Sequence, residues 1–294
     1  MRLSKCALCD SNDPLELSHI VPKMVVRALK KTSVGCIRHT DNPNQTVQDS
    51  EKHYMLCGKC EDLFSEYEKY FSDNVFQPYL KAEKTRYEYD ERLFYFLTSL
   101  SWRSLYLDLL DFVQNHVLGL DALECLIQAE KTMKDFLLKR RPDIGNIEHH
   151  IFFLDRIECA DGDFAAKEMR PHATFHRGIA SYSFCDEEHG TYGTLTNMMG
   201  ILVVTLYQKS KEEVWVNTDI CNGTGAVEAK NQKMISTVGN ELIHLMKTAK
   251  AAEEAISPAQ KGKIKERLDK AEETIRSNPV FQDWFDDERI AKSE

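Results

Sequence analysis

Four cysteines near the start of the chain have the spacing of metal ligands. They form two Cys-x-x-Cys pairs, Cys6 with Cys9 and Cys57 with Cys60. Two cysteines at this spacing can face one metal ion across a tight turn, and Zn²⁺ takes four such thiolates tetrahedrally. The pairs lie about fifty residues apart, which exceeds the usual zinc-ribbon spacing and requires a folded segment between them. The sequence therefore predicts a structural zinc site, with buried free thiols as the alternative.

A histidine that could act in acid–base chemistry lies between the two pairs. Residues 15–20 alternate apolar and polar side chains, which predicts a short strand that carries His19 near its end and stops before Pro22. Imidazole ionises near neutral pH and can take a proton from water under physiological conditions. The alternative is a histidine that is only packed into the core at a strand end.

The order of these motifs resembles that of the zinc-bound HNH, or His-Me finger, endonucleases. The matching stretches are Cys6-Ala7-Leu8-Cys9, His19-Ile20-Val21-Pro22 and Leu56-Cys57-Gly58-Lys59-Cys60-Glu61. The resemblance extends through the helix expected after Cys60 and covers the N-terminal region only. It implies a small treble-clef, or ββα-metal, zinc module that hydrolyses DNA phosphodiester bonds, with His19 as the general base.

The resemblance also implies a catalytic cation, Mg²⁺ or Mn²⁺, which prefers oxygen ligands. The family usually has Asp, Glu or His immediately before the catalytic histidine, where this chain has Ser18. Glu61 is the best candidate ligand by position, although the family often has Asn there. Gln48 and Asp49 could approach from the strands. Because Ser18 is a poor cation ligand, the alternative is a zinc-dependent nucleic-acid-binding or regulatory protein without catalytic activity.

A basic stripe follows the candidate histidine. No acidic residue lies between Glu16 and Asp41, a segment that contains five positive side chains: Lys23, Arg27, Lys30, Lys31 and Arg38. The whole chain has a net charge of −9, but a local basic stripe can still bind phosphates. It predicts a DNA-binding surface, and a solvated helix face is the alternative.

Composition sets the class of protein and its compartment. The 294 residues, 42% hydrophobic and 29% charged, are typical of a globular protein with one large core or two modest ones. Nine cysteines, of which five have no pairing pattern, favour a reducing cytosol. No long apolar run and no signal-peptide core are present, so we expect a cytoplasmic protein without a membrane span.

The pattern along the chain predicts an α+β protein in two parts. Residues 1–80 form the HNH-like zinc module, and residues 81–294 form a larger α+β domain of unknown function. Within the larger domain we expect helices over 91–140, a β-rich region over 147–220 and helices over 227–277. By analogy, a bacterial nuclease with such an unmatched domain would serve in defence against foreign DNA.

Two histidine pairs could suggest a second metal site in the larger domain. His149 and His150 point to opposite faces of a predicted strand, so they cannot bind one ion together. His172 and His176 have helical spacing, but Pro171 argues against a helix there. Both pairs are therefore interpreted as core or surface histidines.

Overall fold

The computed structural model describes residues 5–33, 36–154, 169–270 and 279–290. Over these residues the chain has the mixed α+β fold that the sequence predicts. Cys159 and residues 271–277, the end of the last predicted helical region, lie outside the described residues. No helix in the described ranges combines the length and the apolar character that crossing a membrane requires.

The N-terminal part is built on a strand–strand–helix unit. Its elements in chain order are β1 (Leu15–His19), α1 (Lys23–Thr32), β2 (Ile37–Arg38), β3 (Thr46–Val47), β4 (Lys52–Cys57), α2 (Gly58–Phe71) and, after a π-helical turn over Ser72–Phe76, α3 (Gln77–Leu80). β1 pairs antiparallel with β4, and β4 leads directly into α2. Since Pro22 has no backbone N–H to continue the ladder, β1 ends before it and α1 follows.

The larger part contains a five-stranded sheet and six helices within the described residues. Its elements in chain order are β5 (Arg86–Tyr89), α4 (Glu91–Asn115), α5 (Leu120–Leu137), β6 (Glu148–Phe153), α6 (Pro171–His176), β7 (Ile179–Asp186), β8 (Thr191–Met198), β9 (Ile201–Gln208), β10 (Val214–Val216), β11 (Asp219–Ile220), β12 (Gly225–Glu228), β13 (Lys233–Ile235), α7 (Val238–Glu254), α8 (Pro258–Lys270) and α9 (Pro279–Ile290). The sheet order is β11-β6-β9-β8-β7, and every neighbouring pair is antiparallel.

β7, β8 and β9 are neighbours in chain order, whereas β6 pairs with β9 and β11 across longer connections, and the β8–β9 connection is a tight hairpin. Its two-residue turn, Met199 and Gly200, has positive φ at both positions, 56° and 93°, as the twist of a tight hairpin favours. A Cβ on Gly200 would lie 2.5 Å from the hydroxyl of Tyr79 and 2.7 Å from the ring of His176. Glycine is therefore required there for both backbone conformation and space.

The long helix α4 joins the two parts. Every residue from Leu93 to Leu105 is buried. The sequence predicts this burial, because the apolar residues of α4 occupy more than one face of the helix. Small hydroxyl side chains on α4 face the sheet, where Ser101 Oγ lies 2.6 Å from Thr205 Oγ1. On another side Trp102 packs edge-on against Phe64 of α2. One hydrophobic core thus continues across the predicted boundary near residue 80.

Two secondary-structure predictions differ from the fold. The predicted helix from residue 227 begins at Val238 instead, because β12 pairs with β5 and β13 pairs with β10. These strand partners override the local helical pattern. The argument from Pro171 against a helix over 172–176 is also wrong. Pro171 is the first residue of α6, where no backbone donor is needed.

Candidate functional site

The two Cys-x-x-Cys pairs converge on one point. The four sulfur atoms of Cys6, Cys9, Cys57 and Cys60 lie within 4.8 Å of one another, and those of Cys9 and Cys57 are 3.7 Å apart. A tetrahedral zinc site with Zn–S bonds of about 2.3 Å has sulfurs about 3.8 Å apart. The four cysteines are therefore close enough to hold a metal ion such as zinc.

The charge state of this cluster supports cation binding. A hydrogen bond with the Cys60 thiol lowers the pKa of Cys6 to about 4, although burial opposes ionisation. The backbone N–H of Cys57 also donates to Cys6 Sγ at 3.3 Å. The pKa of Cys60 is raised, because its thiol shares its proton with Cys6 and is buried. Bound Zn²⁺ would supply the positive charge that ionises the remaining thiols.

The cysteine cluster determines where β1 lies. Cys57 ends β4 directly opposite Leu15 of β1, and Ala7 N donates to Met55 O at 2.8 Å. A metal ion at the four sulfurs would tie the first cysteine turn to the start of α2. That connection fixes the strand whose end carries His19.

His19 is paired with Asp49 rather than simply packed in the core. Its Nε2 lies 3.1 Å from Asp49 Oδ2, and the two side chains are 18% and 22% exposed. Burial of the Asp49 carboxyl works against ionisation, but hydrogen bonds from His19 and Lys52 bring its pKa below the usual range. An ionised carboxylate accepts only, so Nε2 carries the hydrogen and Nδ1 remains as the proton acceptor. This arrangement suits a general base.

The three predicted cation ligands do not form one cluster. Asp49 contacts His19 and Lys52, while the exposed Gln48 accepts a hydrogen bond from Lys30 Nζ at its side-chain oxygen, 3.3 Å away. Glu61 lies elsewhere, in the first turn of α2. Among the described residues, neither Glu61 nor Asp49 belongs to a group of three or more possible metal ligands.

The half-buried Glu61 and the buried Ser18 lie near one another, and each has a buried side-chain oxygen. Burial raises the pKa of Glu61, against the opposing effects of the nearby Ser18 hydroxyl and the charge of Arg103. Over the described part of the chain, neither Ser18 Oγ nor Glu61 Oε1 has a hydrogen-bond partner of good geometry. Buried oxygens left in this way require water or an ion. Glu61 is the predicted cation ligand of the two, and the Ser18 hydroxyl is a poor one.

Arg103 is a residue of this site that sequence reasoning missed. It extends from α4 and is 1% exposed. One guanidinium nitrogen, Nη1, donates to the backbone oxygen of His19 at 2.9 Å and to Glu68 Oε1 at 2.7 Å. Nη2 is buried without a partner within the described residues. An arginine inside an otherwise apolar helix was the available signal, because a buried charge requires a partner elsewhere in the fold.

We expect Arg103→Met to destabilise the protein by about 3 kcal/mol, because it leaves Glu68 without its buried partner and frees the backbone of His19. The midpoint of urea unfolding measures this destabilisation. Arg92→Met, an exposed arginine on the same helix, is the control and should cost at most about 1 kcal/mol. The double variant Arg103→Met/Glu68→Leu should recover part of the stability. Equal midpoints for Arg103→Met and Arg92→Met would contradict the pairing.

The basic stripe separates into two groups in the fold. Lys23, Arg27, Lys30 and Lys31 are exposed along α1, and four-residue spacing places the first two on one helix face. Arg38 is half-buried instead. It donates to Pro43 O at 2.7 Å and to Gln260 Oε1 of α8 at 3.0 Å. The exposed basic surface is therefore α1 itself, directly after β1.

A cleft of about 550 Å³ runs beside the His19–Asp49 pair. Asp49, Ser50 and Glu51 line it on one side, and residues 179–182 of β7 line it on the other. Arg177 bridges its walls by donating to Ser33 Oγ at 2.8 Å. The cleft thus reaches Asp49, the side-chain partner of His19.

The histidines of the other two pairs form hydrogen bonds with threonine or aspartate side chains. Buried His149 lies between Thr98 Oγ1 and Thr205 Oγ1, at 2.9 and 2.7 Å, and burial lowers its pKa to about 3. His172 pairs with Asp287 at 2.9 Å, and His176 pairs with Asp283 at 2.7 Å. These contacts attach α9 to α6.

His150 belongs to a second group of possible metal ligands in the described residues, together with Glu148 and Asp219. Lys209 Nζ lies 2.6 Å from Glu148 Oε2 and already neutralises one carboxylate of the group. The ring of Trp215 stacks on His150 with the ring centroids 4.2 Å apart. His150 is therefore a buried, stacked histidine beside a cluster of exposed charged side chains, and burial lowers its pKa.

Comparison of the chain with protein-family models, with curated proteins and with solved structures found no match. The site itself contains three chemical parts: a sulfur cluster suited to zinc, a partly exposed histidine–aspartate pair, and buried oxygens beside it. An exposed basic helix follows the strand that carries the histidine.

Proposed function

We propose that this chain is a divalent-cation-dependent endonuclease of the HNH type that hydrolyses DNA phosphodiester bonds. The observation that carries the proposal is the His19–Asp49 pair, 3.1 Å apart and partly exposed, at the end of a strand held by the four-cysteine cluster. A pair of this kind supplies a base with a defined tautomer at a position that substrate can reach.

In the proposed reaction His19 Nδ1 takes a proton from a water molecule while the water oxygen bonds to phosphorus. The bond from phosphorus to the departing sugar oxygen breaks, and that oxygen takes a proton from solvent. Asp49 holds the imidazole and stabilises the imidazolium that forms. Mg²⁺ or Mn²⁺ held by Glu61 would offset negative charge on the phosphate and the departing oxygen.

The exposed cations of α1 would hold the DNA backbone beside this base. They belong to the segment that directly follows β1, so phosphates bound on α1 lie close to the strand that carries His19. The proposed setting is the cytoplasm, where the cysteines stay reduced. Defence against foreign DNA is the biological role proposed by analogy.

The second candidate function is a zinc-dependent nucleic-acid-binding or regulatory protein that does not cut. Ser18 favours it because serine is a poor cation ligand. The positive charge of Arg103 also favours it, because it lies near Glu61 and would repel a cation bound there. The test is nicking of supercoiled plasmid with Mg²⁺ or Mn²⁺, wild type beside His19→Ala. Cation-dependent nicking that is abolished in His19→Ala supports the nuclease. DNA binding by both proteins without cleavage supports the second candidate.

The double charge reversal Lys30→Glu/Lys31→Glu should weaken binding to DNA of any sequence, because it removes interactions with phosphates rather than with bases. The slope of log affinity against log salt is negative, and it should become less steep by about one for each phosphate that the variant no longer neutralises. Fluorescence anisotropy at several salt concentrations measures both quantities. Lys263→Glu/Lys265→Glu on α8 is the matched control, since these lysines are also exposed. An unchanged slope in the α1 variant would place the DNA elsewhere.

A further inference from the structure

A basin of about 610 Å³ lies between α2, the start of α4 and the end of α5, away from the cleft at His19. Six of its lining side chains define what we name the Lys139 basin: Tyr67, Arg92, Tyr95, Lys139, Arg140 and Arg141. Its volume is in the range of small-molecule sites, which is about 300–1,000 Å³.

Positively charged side chains outnumber carboxylates in the lining of the Lys139 basin. Glu91 is the one carboxylate among the described residues that line it, against four cations. The arginines each have an outside partner: Asp90, Asp135 and Asp143. Lys139 is exposed, and no ion pair to it is found within the described part of the chain. Exposed ion pairs are weak, so these guanidinium groups can turn to an anionic ligand.

Arg141 adds an unsatisfied donor to the basin. Its side chain is 33% exposed and donates through Nη2 to Asp143 at 2.8 Å. Its Nε is buried and has no acceptor within the described residues. A buried donor without an acceptor is where a bound water or ligand oxygen is expected. Nε and Nη2 lie on one edge of the planar guanidinium, so a phosphate that replaced Asp143 at Nη2 would be bound by both nitrogens.

The wall of the basin offers a preformed aromatic surface. The rings of Tyr67 and Tyr95 stack with their centroids 3.9 Å apart and 24° between planes. Tyr95 is fixed by its hydroxyl, which donates to Leu137 O at 2.8 Å. Tyr67 is half-buried and belongs to the lining, so part of its ring remains accessible. Nucleic-acid bases stack on aromatic surfaces of this kind.

We propose that the Lys139 basin binds a nucleoside phosphate. The phosphate groups contact Lys139, Arg140 and Arg141, and the base packs against Tyr67. A free nucleotide and a nucleotide of a single-stranded DNA share this chemistry. The site is separate from His19, and the proposal does not require cleavage activity.

Isothermal titration of the zinc-loaded full chain tests the proposal, with ATP, inorganic tripolyphosphate and a short single-stranded DNA as probes. ATP should bind more tightly than tripolyphosphate. Lys139→Gln and Arg141→Gln should each weaken ATP binding about tenfold, the usual effect of one charge-assisted hydrogen bond. Tyr67→Leu should weaken ATP but leave tripolyphosphate unchanged. Lys131→Gln, which changes an exposed lysine on α5 outside the basin lining, is the control and should bind as wild type does.

Competition between ATP and single-stranded DNA shows which of the two ligands the basin binds, and absence of ATP binding overturns the proposal. Single-stranded DNA that displaces ATP, and binds more weakly to Lys139→Gln, identifies a strand as the ligand. ATP binding that the DNA does not disturb identifies a free nucleotide. No ATP binding to wild type at about 1 mM overturns the proposal, and so does unchanged affinity in Lys139→Gln. Because Lys139 is exposed, its replacement leaves the fold intact and keeps this test valid.

Discussion

Cys57→Ser is expected to release the bound metal and to unfold much of the segment before α4. Wild type should contain one zinc per chain, because the four sulfurs complete a closed site and the described residues place no other cysteine with them. Structural zinc contributes on the order of 10 kcal/mol to folding in small zinc domains. The first cysteine turn, the end of β4 and the start of α2 meet at the four sulfurs, so loss of the metal removes the link between them. Metal analysis and thermal unfolding measure the two effects.

Cys221→Ser is the matched control for this prediction. Cys221 is exposed and lies outside the sulfur cluster, so its replacement should change neither zinc content nor stability beyond about 0.5 kcal/mol. A strong chelator should reproduce the Cys57→Ser result in wild type. Purified wild type without zinc, or a Cys57→Ser protein with full zinc and an unchanged melting temperature, would be decisive against the site.

His19→Ala should reduce cleavage on the order of 10²–10⁴-fold while zinc content and fold remain, since the imidazole is not a sulfur ligand. That reduction corresponds to about 3–5 kcal/mol in activation free energy. Asp49→Asn should also reduce activity, because the asparagine amide can donate to Nε2 and hold the hydrogen on Nδ1 instead. Initial rates of plasmid nicking at saturating Mn²⁺ or Mg²⁺ measure both variants.

His53→Ala is the matched control for His19→Ala. His53 lies on β4, opposite Ser18, and its exposed ring contacts Glu51 at 2.7 Å. Its replacement should leave the nicking rate within about twofold, because no substrate-facing role is assigned to it. A His19→Ala protein that nicks as fast as wild type would show that the motif resemblance misled us about chemistry.

Short-range patterns in the sequence determined the parts of this protein that depend on local geometry. A Cys-x-x-Cys spacing places two sulfurs on one turn whatever surrounds it, so Cys6, Cys9, Cys57 and Cys60 could be assigned to one cluster in advance. The same holds for β1 and α4. Alternating side chains and the following proline predict β1, and the broad apolar pattern predicts α4, from residues that are close together in the chain. The α+β class follows from these local patterns.

Only the tertiary structure decided which groups surround His19. Its partners Asp49 and Arg103 are 30 and 84 residues away in the chain, and no periodic pattern encodes a contact at that separation. The same reason explains the strands of residues 225–235, whose hydrogen-bond partners lie on β5 and β10. A charged side chain in a buried helix, such as Arg103, is placed by the partner that stabilises it, and that partner becomes known only when the helices pack.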